Sequence, residues 1–180
     1  MWKHASLSVL ALCFGTTIGF PHPARAETPK PNVPLQLAQA SPSPATLANE
    51  KDAIHKAVSD YFDAFGRSAA EAATFYGEPT LLVLPNQVKV LSKRADVEDF
   101  LAKTLTGLTP LGYSYSKVVD PRIRLLNATT AIYSTVAVRF KADGTEMQRL
   151  GVTYLRQKDN SAWKIREIIA TDLDKLVNAD

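Results

Sequence analysis

Two side chains are placed for chemistry, Glu167 and Tyr61. Glu167 lies in a run where Trp163, Ile165 and Ile169 recur with a period of two, so the spacing predicts a strand that sets the carboxylate among apolar neighbours. A carboxylate in such surroundings has a raised pKa, and it can serve as acid or base or anchor a polar ligand. The alternatives are a salt bridge to a neighbouring strand and exposure at the mouth of a pocket. Tyr61 belongs to a helical stripe with Ile54, Val58, Phe62 and Phe65. Its phenol either donates into a cleft or finds a backbone partner in the core. Tyr76, Tyr113, Tyr115 and Tyr154 are candidates to line a cleft, although strands favour tyrosine for packing alone. Arg149, beside Gly151 and Thr153, is placed either to hold an anion or to lie solvated at a surface or interface. The residues expected to contact a ligand are therefore Tyr61, Phe65, Tyr76, Tyr113, Arg149, Tyr154, Trp163 and Glu167, with Glu167 the best candidate for catalysis.

Other chemistries find no support. No Gly-rich phosphate loop, G-x-S-x-G or H-x-x-E-H spacing occurs, and no metal or cofactor is expected. Residues 1–26 have the build of a secretory leader. Lys3 and His4 precede an apolar run over 5–20, Pro21 and Pro23 end it, and Ala24-Arg25-Ala26 offers a small-x-small cleavage site. This implies export to the periplasm or beyond, either with the leader cut after Ala26 and no membrane span left, or with the leader retained as an anchor. Cys13, the one cysteine, lies in the leader, so the processed chain would have neither disulfides nor thiol chemistry. His4 and His22 go with it, leaving His55 alone. The formal charge of +3 falls to about +1 without Lys3 and Arg25. No basic stripe suggests a nucleic-acid partner.

Residues 27–45 contain Pro29, Pro31, Pro34, Pro42 and Pro44 and little periodicity, which predicts an extended linker. Residues 46–180 then form one domain. Helix 1 carries the Ile54–Phe65 stripe and ends at Gly66. Ser68-Ala69-Ala70-Glu71 opens a short second helix, which Gly77-Glu78-Pro79 breaks. Two short strands flank Pro85-Asn86, and a third helix buries Val97, Phe100, Leu101 and Leu105. A strand over 113–126 is interrupted at Asp120-Pro121, and a three-stranded meander runs over 131–171, with turns at Asp143-Gly144 and Lys158–Ser161. In the meander's first strand, Ile132, Val136, Val138 and Phe140 share one face, which should lie under the helices. Tyr133, Thr135 and Ala137 share the other. Helices followed by a long sheet argue for an α+β fold.

The pattern resembles the nuclear transport factor 2-like superfamily, which includes ketosteroid isomerase and SnoaL-like polyketide cyclases. The resemblance rests on Val58–Phe65 leading into Ala72–Tyr76, on Arg94–Phe100, and on the closing Trp163-Lys164-Ile165, and it spans about residues 46–176. It implies a cone-shaped barrel, with a curved, mostly antiparallel sheet wrapped around a long N-terminal helix and two shorter ones. It also implies a pocket closed by helix 1. Tyr61 matches the isomerases' oxyanion-donor tyrosine. Their base aspartate falls near Leu84 and their second, protonated aspartate near Val152. Two of three functional groups are thus absent, and isomerase activity does not carry over. The expectation is an exported, non-catalytic domain that holds a small apolar or amphipathic molecule as a homodimer. One alternative is a SnoaL-like lyase, isomerase or hydrolase using Glu167 and Tyr61. The other is a pure assembly module that pairs through the Tyr133, Thr135 and Ala137 face.

Overall fold

The computed structural model describes residues 43–179. The leader, its cleavage site and most of the Pro-rich segment lie outside the described residues. Helix α1 spans Pro44–Arg67, starting ten residues before its apolar stripe. Ser43 caps it by accepting a hydrogen bond from the Thr46 amide at 3.2 Å, and Pro44 at the first helical position has no amide to leave unpaired. A one-turn helix α2 (Ala69–Ala73) follows, capped by Ser68. The chain then enters β1 (Tyr76–Leu84), β2 (Gln87–Leu91), α3 (Arg94–Leu108), β3 (Tyr113–Asn127), β4 (Thr130–Lys141), β5 (Glu146–Asp159) and β6 (Ala162–Thr171). The observed order matches the expected one. Strand β1 starts at Tyr76, within the stretch expected to end the second helix, because Ile165 of β6 bonds the Phe75 carbonyl and draws the chain into the sheet.

The six strands form one curved, unclosed sheet in the order β2-β1-β6-β5-β4-β3. Only the β1–β6 pair is parallel. Asp120 has a positive φ of 53° at a break in the β3–β4 register, which is the interruption expected at Asp120-Pro121. The turn between β4 and β5 places Gly144 at φ 83°, a conformation that favours glycine. Among the described residues no helix is long and apolar enough to cross a membrane.

The helices cover the concave side of the sheet. Ile54, Val58, Tyr61, Phe62 and Phe65 of α1 and Val97 and Leu101 of α3 pack there against Ala131, Tyr133, Ala137, Tyr154, Trp163 and Ile165. This reverses the expected orientation of β4. Tyr133, Thr135 and Ala137 are 0%, 0% and 3% exposed, so they are not a surface for pairing with another copy. Val136 and Val138 lie on the convex side instead, packed with Leu176 from the segment after β6. Both sides of β4 are buried, and alternation alone therefore cannot say which side the helices take. The convex side has a polar fastening too. Ser134 Oγ accepts from the Val177 amide at 3.1 Å and lies 2.8 Å from Thr153 Oγ1, and Arg122 donates to the Leu176 carbonyl. Gly151 permits this path, because a Cβ there would run into the Thr171 carbonyl.

Candidate functional site

A cavity of about 210 Å³ opens between the helices and the concave sheet. Helix α1 contributes Tyr61, Phe62 and Phe65, and α3 contributes Phe100, Leu101 and Thr104. The sheet adds Tyr76 and Leu84 from β1, Leu150, Val152 and Tyr154 from β5, and Ile168 and Ala170 from β6. Cross-strand register explains this grouping. Ala137 faces Leu150, Thr135 faces Val152, and Tyr154 sits between Tyr133 and Ile168, so all of these point to one side.

Tyr61 is the hub of the aromatic floor. Its ring centroid lies 5.1 to 6.4 Å from those of Phe62, Tyr76, Phe75, Phe65 and Tyr154, spacings at which aromatic pairs attract edge-to-face or offset. Tyr76 donates to the Tyr61 hydroxyl at 2.8 Å. Burial pushes the Tyr61 phenol up to about 12 and raises those of Tyr76, Tyr154 and Tyr133 as well. All four are protonated at neutral pH, so each carries an O–H that can donate. Outside the floor, the Tyr133 hydroxyl lies 2.8 Å from Nδ1 of the exposed His55.

Of the expected ligand contacts, Tyr61, Phe65, Tyr76 and Tyr154 meet in this cavity. Tyr113 packs behind it, 5.9 Å from the Phe65 ring, with its hydroxyl 2.9 Å from Ser116 Oγ. Trp163 is buried but turned elsewhere. Its Nε1 donates to Glu50 at 3.0 Å, and it lines a separate, open groove of about 310 Å³ with Lys56, Asp60 and Lys164. Lys56 and Asp60 already pair with each other at 2.7 Å, which leaves that groove less suited to a ligand than the tyrosine cavity. Tyr115 stacks on Phe140, a member of the convex cluster.

Glu167 does not reach the cavity. A bulge in β6 sets Leu155 opposite Glu167 but Arg156 opposite Ile165, which leaves Arg166 as an extra residue. Trp163 and Ile165 therefore share the concave side with Ile168 and Ala170, while Glu167 and Ile169 turn to the convex side. A strict period of two missed this because one inserted residue inverts every later position. Arg149 is also displaced. It pairs across to Val138 and is held on the surface by Glu146, with contacts of 2.7 and 2.9 Å. Burial in the cavity is thus not available to either residue.

Sequence reasoning missed two cations inside the cone. Arg139 is half-buried and lines the cavity, and its Nη1 donates to Gln148 at 2.8 Å. Burial lowers its pKa, countered in part by Tyr113, Tyr61 and Tyr154. Arg156 is 0% exposed. Its Nη2 donates to the Trp163 carbonyl at 2.6 Å, whereas Nε and Nη1 have no partner. Burial depresses it to about 10, so it remains charged at neutral pH. The period from Leu150 through Val152 and Tyr154 to Arg156 was a usable signal. For Arg139 the signal was masked by assigning its strand face outward.

Leu84 and Val152 both line the cavity, at the places where the resemblance puts the isomerase acids. Among the described residues none of the lining side chains is a carboxylate, histidine or cysteine, so these residues offer donors and apolar surface to the cavity. Residues 49–173 match the family described as NTF2-like protein (DUF6841), and the chain belongs to that family. Solved structures share the fold. An NTF2-like protein with a cystatin-like fold from Novosphingobium aromaticivorans matches at a TM-score of 0.59 and 14% identity, over 72% of this chain and 86% of that one. An NTF-2 like protein of unknown function from Shewanella oneidensis matches at 0.56 and 16%, over 68% and 99%. The yeast UBP3-associated protein Bre5 matches at 0.55 and 12%, over 72% and 97%. At such identities the likeness establishes the fold alone. No curated protein matches the chain. The NTF2-like fold is typical of ligand-binding and SnoaL-like domains.

Proposed function

We propose that this domain binds a small, largely apolar molecule in the tyrosine-floored cavity and leaves it chemically unchanged. The carrying observation is the wall itself. It combines buried phenol donors with Leu84 and Val152 where the resembling isomerases hold their acids. The leader pattern over 1–26 supports a place of action outside the cytoplasm. Self-association through the sheet would fall to the convex side, where Phe140, Leu155 and Ile169 are half-buried.

A ligand that binds only the folded state raises its stability by RT ln(1 + [L]/Kd), about 2.7 kcal/mol at a hundredfold excess over Kd. We expect members of a panel of small hydrophobic molecules to raise the melting temperature. Val152→Phe, which fills the cavity, should abolish the rise, and Glu167→Gln should leave it intact. A panel with no effect on the native protein would defeat this reading. Loss of binding in Glu167→Gln would restore the enzyme-like alternative.

A further inference from the structure

We infer that the molecule held in the cavity is an organic anion, a single-ring carboxylic acid whose carboxylate pairs with the Arg139 guanidinium. This rests on the ligand-binding reading above and narrows it to a chemical class.

Among the described residues Arg139 is the one charged side chain in the cavity wall, and none of the lining residues is an acid. Its hydrogen-bond partner is the neutral Gln148, reached through Nη1 alone. A guanidinium presents five N–H donors in a planar fork, and a fork of that shape matches a carboxylate with two parallel bonds. The charge is half-buried and has no ion-pair partner among the described residues, which is unfavourable unless something pairs with it.

Arg156, buried in the cone but outside the cavity lining, is a second unpaired guanidinium. It is wholly buried, forms no ion pair among the described residues, and leaves Nε and Nη1 without acceptors. Two guanidiniums without a counter-charge make the interior positive. Arg139 and Arg156 also act on the same phenols, Tyr61 and Tyr154.

The hydroxyls add to this preference. Because Tyr76 donates to Tyr61, the Tyr61 proton is left to point elsewhere. The cavity therefore meets its occupant with donors and positive charge. A carboxylate satisfies both. A primary amide brings N–H groups that find few acceptors, and an amine adds a third cation. Size sets the remainder. An apolar cavity of about 150 Å³ holds one benzene, so 210 Å³ admits one ring with a short acidic arm.

The test is a matched set on the purified protein: benzoate and phenylacetate, their primary amides, and benzylamine, titrated by protein-observed NMR. We expect each acid to bind at least tenfold more tightly than its amide, with benzylamine weakest. Arg139→Gln should bring acid and amide within about twofold of each other. Arg149→Gln, a surface change, should leave the ratio as it is. If Arg139→Gln fails to fold, the acid-to-amide ratio in the native protein still decides the matter. Amides that bind as tightly as acids, with both blocked by Val152→Phe, would overturn the anion inference and leave the cavity reading standing. Competition by chloride or sulfate at the acids' own concentrations would overturn it too, since the ring would then contribute nothing. Silence from this set and from the hydrophobic panel together would remove the ligand-binding reading itself.

Discussion

Strand β4 meets different neighbours on its two sides. Tyr133, Thr135 and Ala137 turn toward the helices and the cavity, while Ser134, Val136 and Val138 turn toward the chain's last residues. On the convex side the polar groups close on one another. Thr171 donates to Thr153 at 2.9 Å, Thr153 lies 2.8 Å from Ser134, and Ser134 receives the Val177 amide. On the concave side they do not, since Arg156 keeps two unpaired nitrogens and Arg139 keeps an uncompensated charge. Buried polar groups are nearly always satisfied in folded proteins. A closed network therefore reads as construction, and an open one as a place left for something else.

The largest expected effect tests the concave side. Tyr61→Ala removes the hub of five ring contacts and leaves the Tyr76 hydroxyl without its acceptor. Truncating a buried aromatic costs about 3–5 kcal/mol, and we expect that range in chemical denaturation. A cost under about 1 kcal/mol would mean that the cone is not packed around this ring.

A smaller effect tests the convex side. Leu176→Ala should cost about 2 kcal/mol, the low end for a buried leucine, because a terminal segment can settle into the gap. The double variant Tyr61→Ala/Leu176→Ala sharpens the contrast. Its cost should equal the sum of the singles to within about 0.5 kcal/mol, as for sites without shared partners. A coupling above about 1 kcal/mol would show that the two sides act as one unit.

The same contrast explains what could be read from the sequence. Element order, the α1 stripe, the Asp120 interruption and the turns rest on local signals, namely helical spacing, capping residues and positions suited to positive φ. Those signals survive folding, and the elements come in the expected order, with β1 starting earlier, at Tyr76, where pairing with β6 draws the chain into the sheet. Leu84 and Val152 were placed by resemblance, and both line the cavity. Orientation was harder. Strand β4 is buried on both sides over most of its length, so which side faces the helices depends on the chain after β6, which shows no periodicity of its own. Glu167 was misplaced by a single bulge residue, Arg166, and bulges follow from tertiary strain rather than local pattern. Arg156 was hidden for a different reason. A buried, unpaired arginine contradicts the usual rule for charges, and such contradictions concentrate at functional sites.

The smallest effect concerns how each side is fastened. Helix α1 is pinned over the concave side by Glu50, whose carboxylate accepts from Lys158 at 2.6 Å and from Trp163 Nε1 at 3.0 Å. The Lys158 hydrogen bond holds the Glu50 pKa below its ordinary value of 4.5. The convex side is fastened by hydroxyls, amides and the Arg122 guanidinium, none of which changes charge between pH 7 and pH 3. A carboxylate with a depressed folded pKa stabilises fully above its unfolded pKa, and the contribution fades as pH falls through the folded value. At pH 7 we expect Glu50→Gln to lower stability by about 0.5–1 kcal/mol, because both partners are about a quarter exposed. That difference should begin to shrink as pH drops past 4.5 and should vanish at lower pH. The surface carboxylates Asp143 and Glu146, also held low, titrate in both proteins and cancel in the comparison. Urea denaturation of the native protein and both variants from pH 7 to pH 3 reads the outcome directly. The Leu176→Ala difference should stay flat across that range. A Glu50→Gln difference that stayed equally flat would mean that the carboxylate does not fasten the helix, and that neither side of the sheet is held by a group that titrates in this range.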